Sequence, residues 1–331
     1  MNIIYTLNDK FVPQVAACIC SVCENNKEMN NINFFVISQG ITSQNKNKLK
    51  QLVEKYNRNI QIIELGDIEK YFDFEFDTSG WNSIVLARLI IDKLLPSDIN
   101  KVLYLDGDTI VRGSLKELWD INLEDYVLAA SAEPTQDRKR RISLGLEYKL
   151  YYNAGVLLIN LKKWRKINAE KIILDYYKQH AGKLFANDQD AINGSLNDYI
   201  YTLSPKYNFY NIFYQYNYNF LKKLAEPAKY ITKDVYDDAV KNPIIIHYLG
   251  EERPWRIGNT HKYKNDYINY LNKTAWKGEG FENGWKLYFV CWNIFNVLTK
   301  PFPRIRYGII NALIPSFIKM RAKKNKKVNA K

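Results

Sequence analysis

The chain has 331 residues, 47% of them hydrophobic and 25% charged, which is enough apolar surface for a large folded unit and too little charge bias for a disordered one. Its net charge of +13 is uneven: positions 283–331 hold 11 Lys or Arg and no acid, leaving 37 basic against 35 acidic residues before them. A near-neutral body argues against a nucleic-acid enzyme with a basic cleft, and the cationic end points to an anionic surface.

The N-terminus opens directly into a strand pattern, so no signal peptide is expected, and no long uncharged apolar window predicts a membrane span. The active site is accordingly expected to face the cytoplasm. Ile3–Leu7 reads as a short buried strand. Pro13–Glu24 follows, with Val15, Ile19 and Val22 at helical spacing. Cys18 and Cys20 lie two apart on that helix and point in nearly opposite directions, so they cannot share an ion. Cys18, Cys20 and Cys23 are therefore read as packed thiols, in keeping with a reducing compartment.

Asn33–Ser38 predicts a second strand, Ser43–Tyr56 an amphipathic helix carrying Leu49, Leu52, Val53 and Tyr56, and Ile60–Leu65 a third strand. This β-α-β-α-β order predicts an α/β fold with a mostly parallel central sheet flanked by helices. Ser83–Leu95 reads as a helix stopped by Pro96. Lys101–Leu105 is a buried strand that ends on Asp106-Gly107-Asp108. Further strands are expected at Val127–Ser131, Gly155–Asn160, Tyr199–Leu203 and Pro243–Tyr248, with helices over Lys162–His180 and Gln189–Leu196. Arg138-Lys139-Arg140-Arg141 reads as a solvated loop, with contact to an acidic acceptor as the lesser alternative.

Beyond about Lys264 the composition changes. Trp285–Leu298 is aromatic and apolar, Ile305–Met320 is mixed, and Arg321–Lys327 is strongly cationic. Apolar stretches interleaved with cations suit a basic amphipathic helical tail lying on a membrane interface, with a solvated basic tail carrying a helix docked on the body as the alternative. Residues 1–265 are accordingly assigned to a catalytic domain and 266–331 to a surface-associating segment.

The chemistry centres on the D-x-D. Two carboxylates one residue apart at a strand end favour a shared cation, with Gly107 permitting a turn between them. Neither G-x-G-x-x-G nor G-x-x-x-x-G-K-[ST] occurs, so a diphosphate would rest on a metal and scattered cations. The chain has three histidines. His247 follows the apolar run Ile244–Ile246, and an imidazole beside two carboxylates suits Mn²⁺.

These segments together carry a resemblance. Ile3–Lys10, Ala87-Arg88-Leu89, Lys101–Asp108, Tyr152–Asn160, Asn187–Asp190 and His247–Trp255 resemble, in order, the motifs of glycosyltransferase family 8. The likeness is greatest to bacterial members that add galactose or glucose to lipopolysaccharide or lipooligosaccharide. It implies a GT-A fold, a UDP-hexose donor, a glycan or glycolipid acceptor, and transfer with retention. By the family pattern Asp106, Asp108 and His247 bind Mn²⁺, with Mg²⁺ as a substitute. Thr6, Leu7 and Asn8 fall in the nucleotide loop, with Asn8 where similar enzymes often place Asp against uracil. Gly107 lies between the metal-binding aspartates. Arg88, Asn153, Ala154, Asp188 and Gln189 match positions around the donor sugar, with Asn153, Asp188 and Gln189 as catalytic candidates. Gly250 and Arg253 match the segment closing on the diphosphate, Arg253 replacing the usual Lys. Two rivals stay open: a nucleotidyltransferase of α/β type, and a non-catalytic protein bound to a membrane surface.

Overall fold

The computed structural model describes the backbone of residues 1–329 and, towards that end, side chains through residue 316 and at Met320. Strands β1 (Asn2–Asn8), β2 (Asn33–Gln39) and β3 (Asn59–Glu64) occupy the expected positions and pair in parallel. Ile3, Ile4 and Tyr5 are fully buried, because β1 is covered on both faces and so reads as a continuous apolar run. The connecting helices are Val12–Asn25 and Ser43–Glu54. The second is capped by the Thr42 side chain, which accepts from the Asn45 N–H, and it buries Leu49, Leu52 and Val53.

After β3 the chain crosses back to the other side of β1. There β4 (Lys101–Leu105) pairs with β1 in parallel. Strands β6 (Leu128–Ser131), β7 (Val156–Asn160) and β8 (Ile200–Leu203) complete a seven-stranded sheet of order β3-β2-β1-β4-β7-β6-β8. Only β7 runs antiparallel to its neighbours. The order reverses at β1, and in such sheets ligands sit beyond the carboxyl ends of the strands at that reversal. Asp106 follows β4 directly.

A second, two-stranded ribbon decides the site. Strand β5 (Thr109–Val111) pairs antiparallel with β9 (Ile245–His247), with Thr109 opposite His247. The Tyr248 N–H donates to the Asp108 carbonyl at 2.9 Å. That register carries His247 across the intervening sequence to the D-x-D.

Several elements differ from expectation. Lys162–His180 is two helices, Leu161–Lys166 and Ala169–Gln179, broken where Asn168 adopts a left-handed conformation (φ 54°) that Asn tolerates better than most residues. Ser83–Ile90 winds as a 3₁₀ helix before a short α-helical turn at Ile91–Leu94. The arginine run is no solvated loop. It forms a helix, Arg138–Ser143, in which Arg140 pairs with Asp190 while Arg141, 2% exposed, donates to the carbonyls of Leu224, Ala225 and Glu226. These two cations therefore hold the fold together and are not offered to an acceptor.

The cysteine reading agrees with the structure. Cys18 hydrogen-bonds Tyr5 and Thr109, Cys20 meets the Tyr56 hydroxyl, and burial pushes the thiols of Cys18 and Cys23 up to about 11 and about 12.

Core packing continues past residue 265, since Tyr267, Leu271 and Trp276 are buried with the body. Two helices follow, Lys286–Thr299 and Pro303–Asn329. They dock on the body through the Arg256 guanidinium on the Trp285 ring at 3.7 Å, Thr260 on Asn293 at 2.9 Å, and the Tyr307 hydroxyl on the Thr135 carbonyl at 3.2 Å. Among the described residues no helix is long and apolar enough to cross a membrane. The side chains of Arg321–Lys327 lie outside those described.

Candidate active site

Asp106 leaves the end of β4 with one carboxylate oxygen already engaged. Its Oδ1 accepts from the Tyr104 hydroxyl and from Arg88 Nη2, each at 2.8 Å. Its Oδ2 lies 3.9 Å from His247 Nε2. Asp108 places Oδ1 3.3 Å from the same ring nitrogen and Oδ2 3.4 Å from Arg253 Nη2. One ligand atom from each of Asp106, Asp108 and His247 falls within 4.8 Å of the others. This hard-oxygen and imidazole set, half enclosed by protein, fits a divalent cation.

The electrostatics agree with that fit. Burial would raise the Asp108 carboxyl, but His247 and then Arg253 outweigh it and hold it below the ordinary carboxylate range. Burial would lower His247, yet Asp108, then Asp106 and Glu133, hold it above the ordinary imidazole value. Like and unlike charges have been gathered where a doubly positive ion would relieve them.

Gly107 lies in the turn that follows β4, and what requires a glycine there is packing. Its backbone lies outside the left-handed region, and an added Cβ would meet Val15 Cγ2 at 2.7 Å and Phe11 Cδ1 at 3.1 Å. The Val12–Asn25 helix thus presses on the D-x-D from behind.

On the other side of Asp106 the buried Arg88 links four elements. Its Nε lies 2.9 Å from Asp188 Oδ2, its Nη1 donates to the Ala154 carbonyl at 2.6 Å, and its plane stacks on Tyr104 at 4.4 Å. Burial pushes the Asp188 carboxyl up to about 6 despite Arg88, with the Asp106 charge adding to the rise. Asp188 is not the cap of its helix, Asn187–Leu196. That first turn is closed by Asp190 Oδ2 on the Ala186 N–H at 2.9 Å. Gln189 accepts from the Ala154 N–H at 2.9 Å and donates to the Tyr151 hydroxyl at 3.0 Å and to Glu133 at 3.3 Å.

The structure therefore joins Arg88, Asp106, Asp108, Asn153, Ala154, Asp188, Gln189, His247 and Arg253 into one network. Thr6 reaches it through the Tyr104 hydroxyl at 3.0 Å. Leu7 is buried in β1, and Asn8 ends that strand with its buried Oδ1 unpartnered. Gly250 follows β9 at φ 82°, a conformation in which glycine pays no Cβ penalty. Among the described side-chain hydrogen bonds, none ties Asn8 to the aspartates.

Sequence reasoning missed Gly155, Glu133 and Asn208. At Gly155 an added Cβ would lie 2.3 Å from His247 Cε1 and 3.0 Å from Asp106 Oδ2. Glu133, 6% exposed, receives the amides of Gln136, Asn153 and Gln189. Nothing in Ala132-Glu133-Pro134 announced a buried acid, and Asn208 lies in an unremarkable Tyr-Asn-Phe-Tyr stretch.

Comparison with known proteins agrees with this geometry. Residues 2–257 match the family described as Glycosyl transferase family 8. General stress protein A of Bacillus subtilis is 26% identical over 283 residues, covering 85% of this chain and 96% of its own. A lipopolysaccharide 1,2-glucosyltransferase of Escherichia coli is 27% identical over 282 residues, covering 83% and 79%. The crystal structure of galactosyltransferase LgtC in complex with donor and acceptor sugar analogs superposes with a TM-score of 0.72. It is 26% identical and covers 84% of this chain and 99% of its own. The nucleotidyltransferase and non-catalytic alternatives are set aside, and the chain, a GT-A-like hexosyltransferase, belongs to glycosyl transferase family 8.

Proposed function

We propose that this enzyme moves a hexose, galactose or glucose, from UDP to a lipid-linked or cell-surface glycan such as lipopolysaccharide or lipooligosaccharide, with retention of anomeric configuration. Its metal would be Mn²⁺, with Mg²⁺ as a substitute. The observation that carries the reading is the convergence of Asp106, Asp108 and His247, with Arg253 already resting on Asp108. Relatives of both sugar types support the two candidate hexoses without choosing between them.

Asp106, Asp108 and His247 would hold the ion, which when bound neutralises charge growing on the leaving diphosphate. Arg253 lies beside the paired Phe11 and Trp255 rings, 5.8 and 5.6 Å from their centroids. It can turn from Asp108 to a phosphate and grip it with two parallel N–H groups. Gly250 and its left-handed backbone supply an N–H to the same charge. Arg88 fixes Asp106 against Asp188, so the carboxylate proposed for the sugar face keeps a set distance from the metal side. Asn153, Ala154 and Gln189 shape the remaining wall, and Thr6, Leu7 and Asn8 are assigned to the base.

The C-terminal helices support a place on the inner face of the cell membrane. Leu287, Val290, Ile294 and Val297 recur at spacings of three and four and are all more than half exposed. Ile305, Ile309 and Leu313 continue a four-residue spacing on the next helix and are also exposed. Lys286, Lys300 and Arg304 accompany them with no acid nearby in sequence, which suits insertion beside anionic headgroups. Residues 1–265 remain the proposed catalytic domain, and the surface-binding part of 266–331 begins at Lys286.

The decisive experiment measures UDP release from a panel of UDP-sugars with and without Mn²⁺. Wild type should release UDP from one hexose donor in a metal-dependent way. Asp108→Ala and His247→Ala should each lose at least about a hundredfold. Full turnover in either variant would remove the metal assignment.

A further inference from the structure

The polar groups behind the site form a single hydrogen-bonded chain whose direction is fixed by the backbone. Two main-chain N–H groups, which can only donate, set its polarity. The Gly155 N–H donates to Asn153 Oδ1 and the Ala154 N–H to Gln189 Oε1, each at 2.9 Å. Asn153 must therefore present its Nδ2 to Glu133 Oε2, as it does at 2.9 Å. The atom of Asn208 that meets Asn153 Oδ1 at 2.9 Å must be its nitrogen. That leaves Asn208 Oδ1 facing His247 Nδ1 at 2.9 Å. An amide oxygen only accepts, so Nδ1 carries a hydrogen, and in the neutral ring the Nε2 lone pair faces Asp106 and Asp108.

We propose that Asn208 is a positioning residue: its oxygen fixes the tautomer and tilt of His247, and its nitrogen ties that ring to Asn153 and, through Glu133, to Gln189. Asn208 is fully buried, and His247, Asn153 and Glu133 are 1%, 2% and 6% exposed, so water does not compete for these bonds. The segment is held in place by β9 itself: the Phe209 N–H donates to the Ile245 carbonyl at 2.8 Å and the His247 N–H to the Phe209 carbonyl at 2.9 Å. Groups that orient a metal-binding histidine through its second nitrogen contribute strongly to metal affinity. Here the orienting group also touches the wall proposed for the donor sugar. Asn208 thus makes metal geometry and sugar geometry depend on one another.

The inference rests on the metal reading above, and the experiment separates the two. Mn²⁺ alone is titrated into the purified full chain, with free ion read by electron paramagnetic resonance. Asn208→Ala should bind Mn²⁺ roughly tenfold to a hundredfold more weakly. Asn208→Asp keeps the acceptor for His247 but sets a carboxylate oxygen against Asn153 Oδ1. It should bind Mn²⁺ at least as well as wild type while turnover of the UDP-sugar falls. With only three histidines in the chain, long-range nitrogen–proton spectra of ¹⁵N-His protein at alkaline pH can report the ring directly. Metal-free wild type should show the Nδ1–H form at His247, and Asn208→Ala should lose that preference. Asp108→Asn is the control: if it binds Mn²⁺ normally, the metal reading itself fails. If Asp108→Asn loses Mn²⁺ while Asn208→Ala keeps wild-type affinity and tautomer, the role of Asn208 is overturned. Should Asn208→Ala not fold, unchanged turnover in Asn208→Asp, or loss of its Mn²⁺ binding, would overturn it equally.

Discussion

The body and the C-terminal helix pair are built on opposite rules. In the body most large apolar side chains are buried, and the acids and cations of the site are matched one to another, as in Asp106–Arg88–Asp188 and Asp190–Arg140. The helices from Lys286 expose Leu287, Val297 and Leu298 by 75%, 73% and 67% and carry cations without acids. Stability cannot explain such exposure, because apolar surface left in water contributes nothing to folding. On the function proposed above, the difference separates a part that completes itself from a part completed by a surface outside the chain. One face of the helix pair docks on the body, and the opposite face is the one proposed for the membrane.

Cutting the chain after Trp285 should break that comparison most sharply. Burying each exposed Leu, Ile or Val in a membrane is worth about 1.5 kcal/mol or more. Loss of two or three such anchors should thus weaken partition onto anionic vesicles more than about a hundredfold. Co-sedimentation measures it, and turnover of a soluble acceptor should change far less. Equal losses in both assays would mean that the helices serve the catalytic body instead of a surface.

The seam between the two regions offers a second test. Tyr214, Gln215, Glu252 and His261 of the body line a cavity of about 270 Å³ with Asn296, Lys300 and Arg306 of the helices. Burial lowers the His261 imidazole to about 4 from its ordinary 6.5. The unfolded chain takes up this proton below about 6.5 and the folded chain only below about 4. Stability should therefore fall as pH drops across that window, by roughly 3 kcal/mol, and level off beneath it. Denaturant unfolding at several pH values measures the slope. His261→Gln should flatten it, and truncation after Trp285, which opens the cavity, should reduce it. A slope that survives His261→Gln unchanged would assign the acid sensitivity elsewhere.

How much of this was legible in sequence follows from where the information sits. The alternating body and Asp106-Gly107-Asp108 at the end of β4 could be read because hydrophobic period and strand ends are local. The His247 partnership depended on family resemblance, since the Thr109–His247 register is a tertiary fact with no local signature. Arg140 and Arg141 misled because four adjacent cations look solvated until Asp190 and the carbonyls of Leu224, Ala225 and Glu226 are brought to them. Asn168 was visible as an Asn inside a helical pattern, but nothing nearby required it to turn left-handed. Asn208 and Glu133 were silent for another reason: an isolated amide or acid has meaning only through partners that folding supplies.

Gly155 shows the same limit from the side of the body and gives the most local test. It stood inside a recognised segment and was read as part of a strand, yet its value is the space it leaves. A methyl group there would lie 2.3 Å from His247 Cε1 and 2.9 Å from Nδ1, so the ring and not the sheet must yield. Overpacking of this kind costs about 1–3 kcal/mol. Because the displaced group is the imidazole, Gly155→Ala should lower Mn²⁺ affinity and UDP-sugar turnover together, by roughly tenfold to a hundredfold. Vesicle binding should be untouched, which distinguishes this defect from truncation. Since Gly155 also donates its N–H to Asn153, a second substitution is informative. Asn208→Ala removes the bond that resists movement of the ring, and combined with Gly155→Ala it should add less than the two losses predict separately. Full additivity would mean that His247 is held by its β5–β9 pairing alone, and that the amide behind it does not set its position.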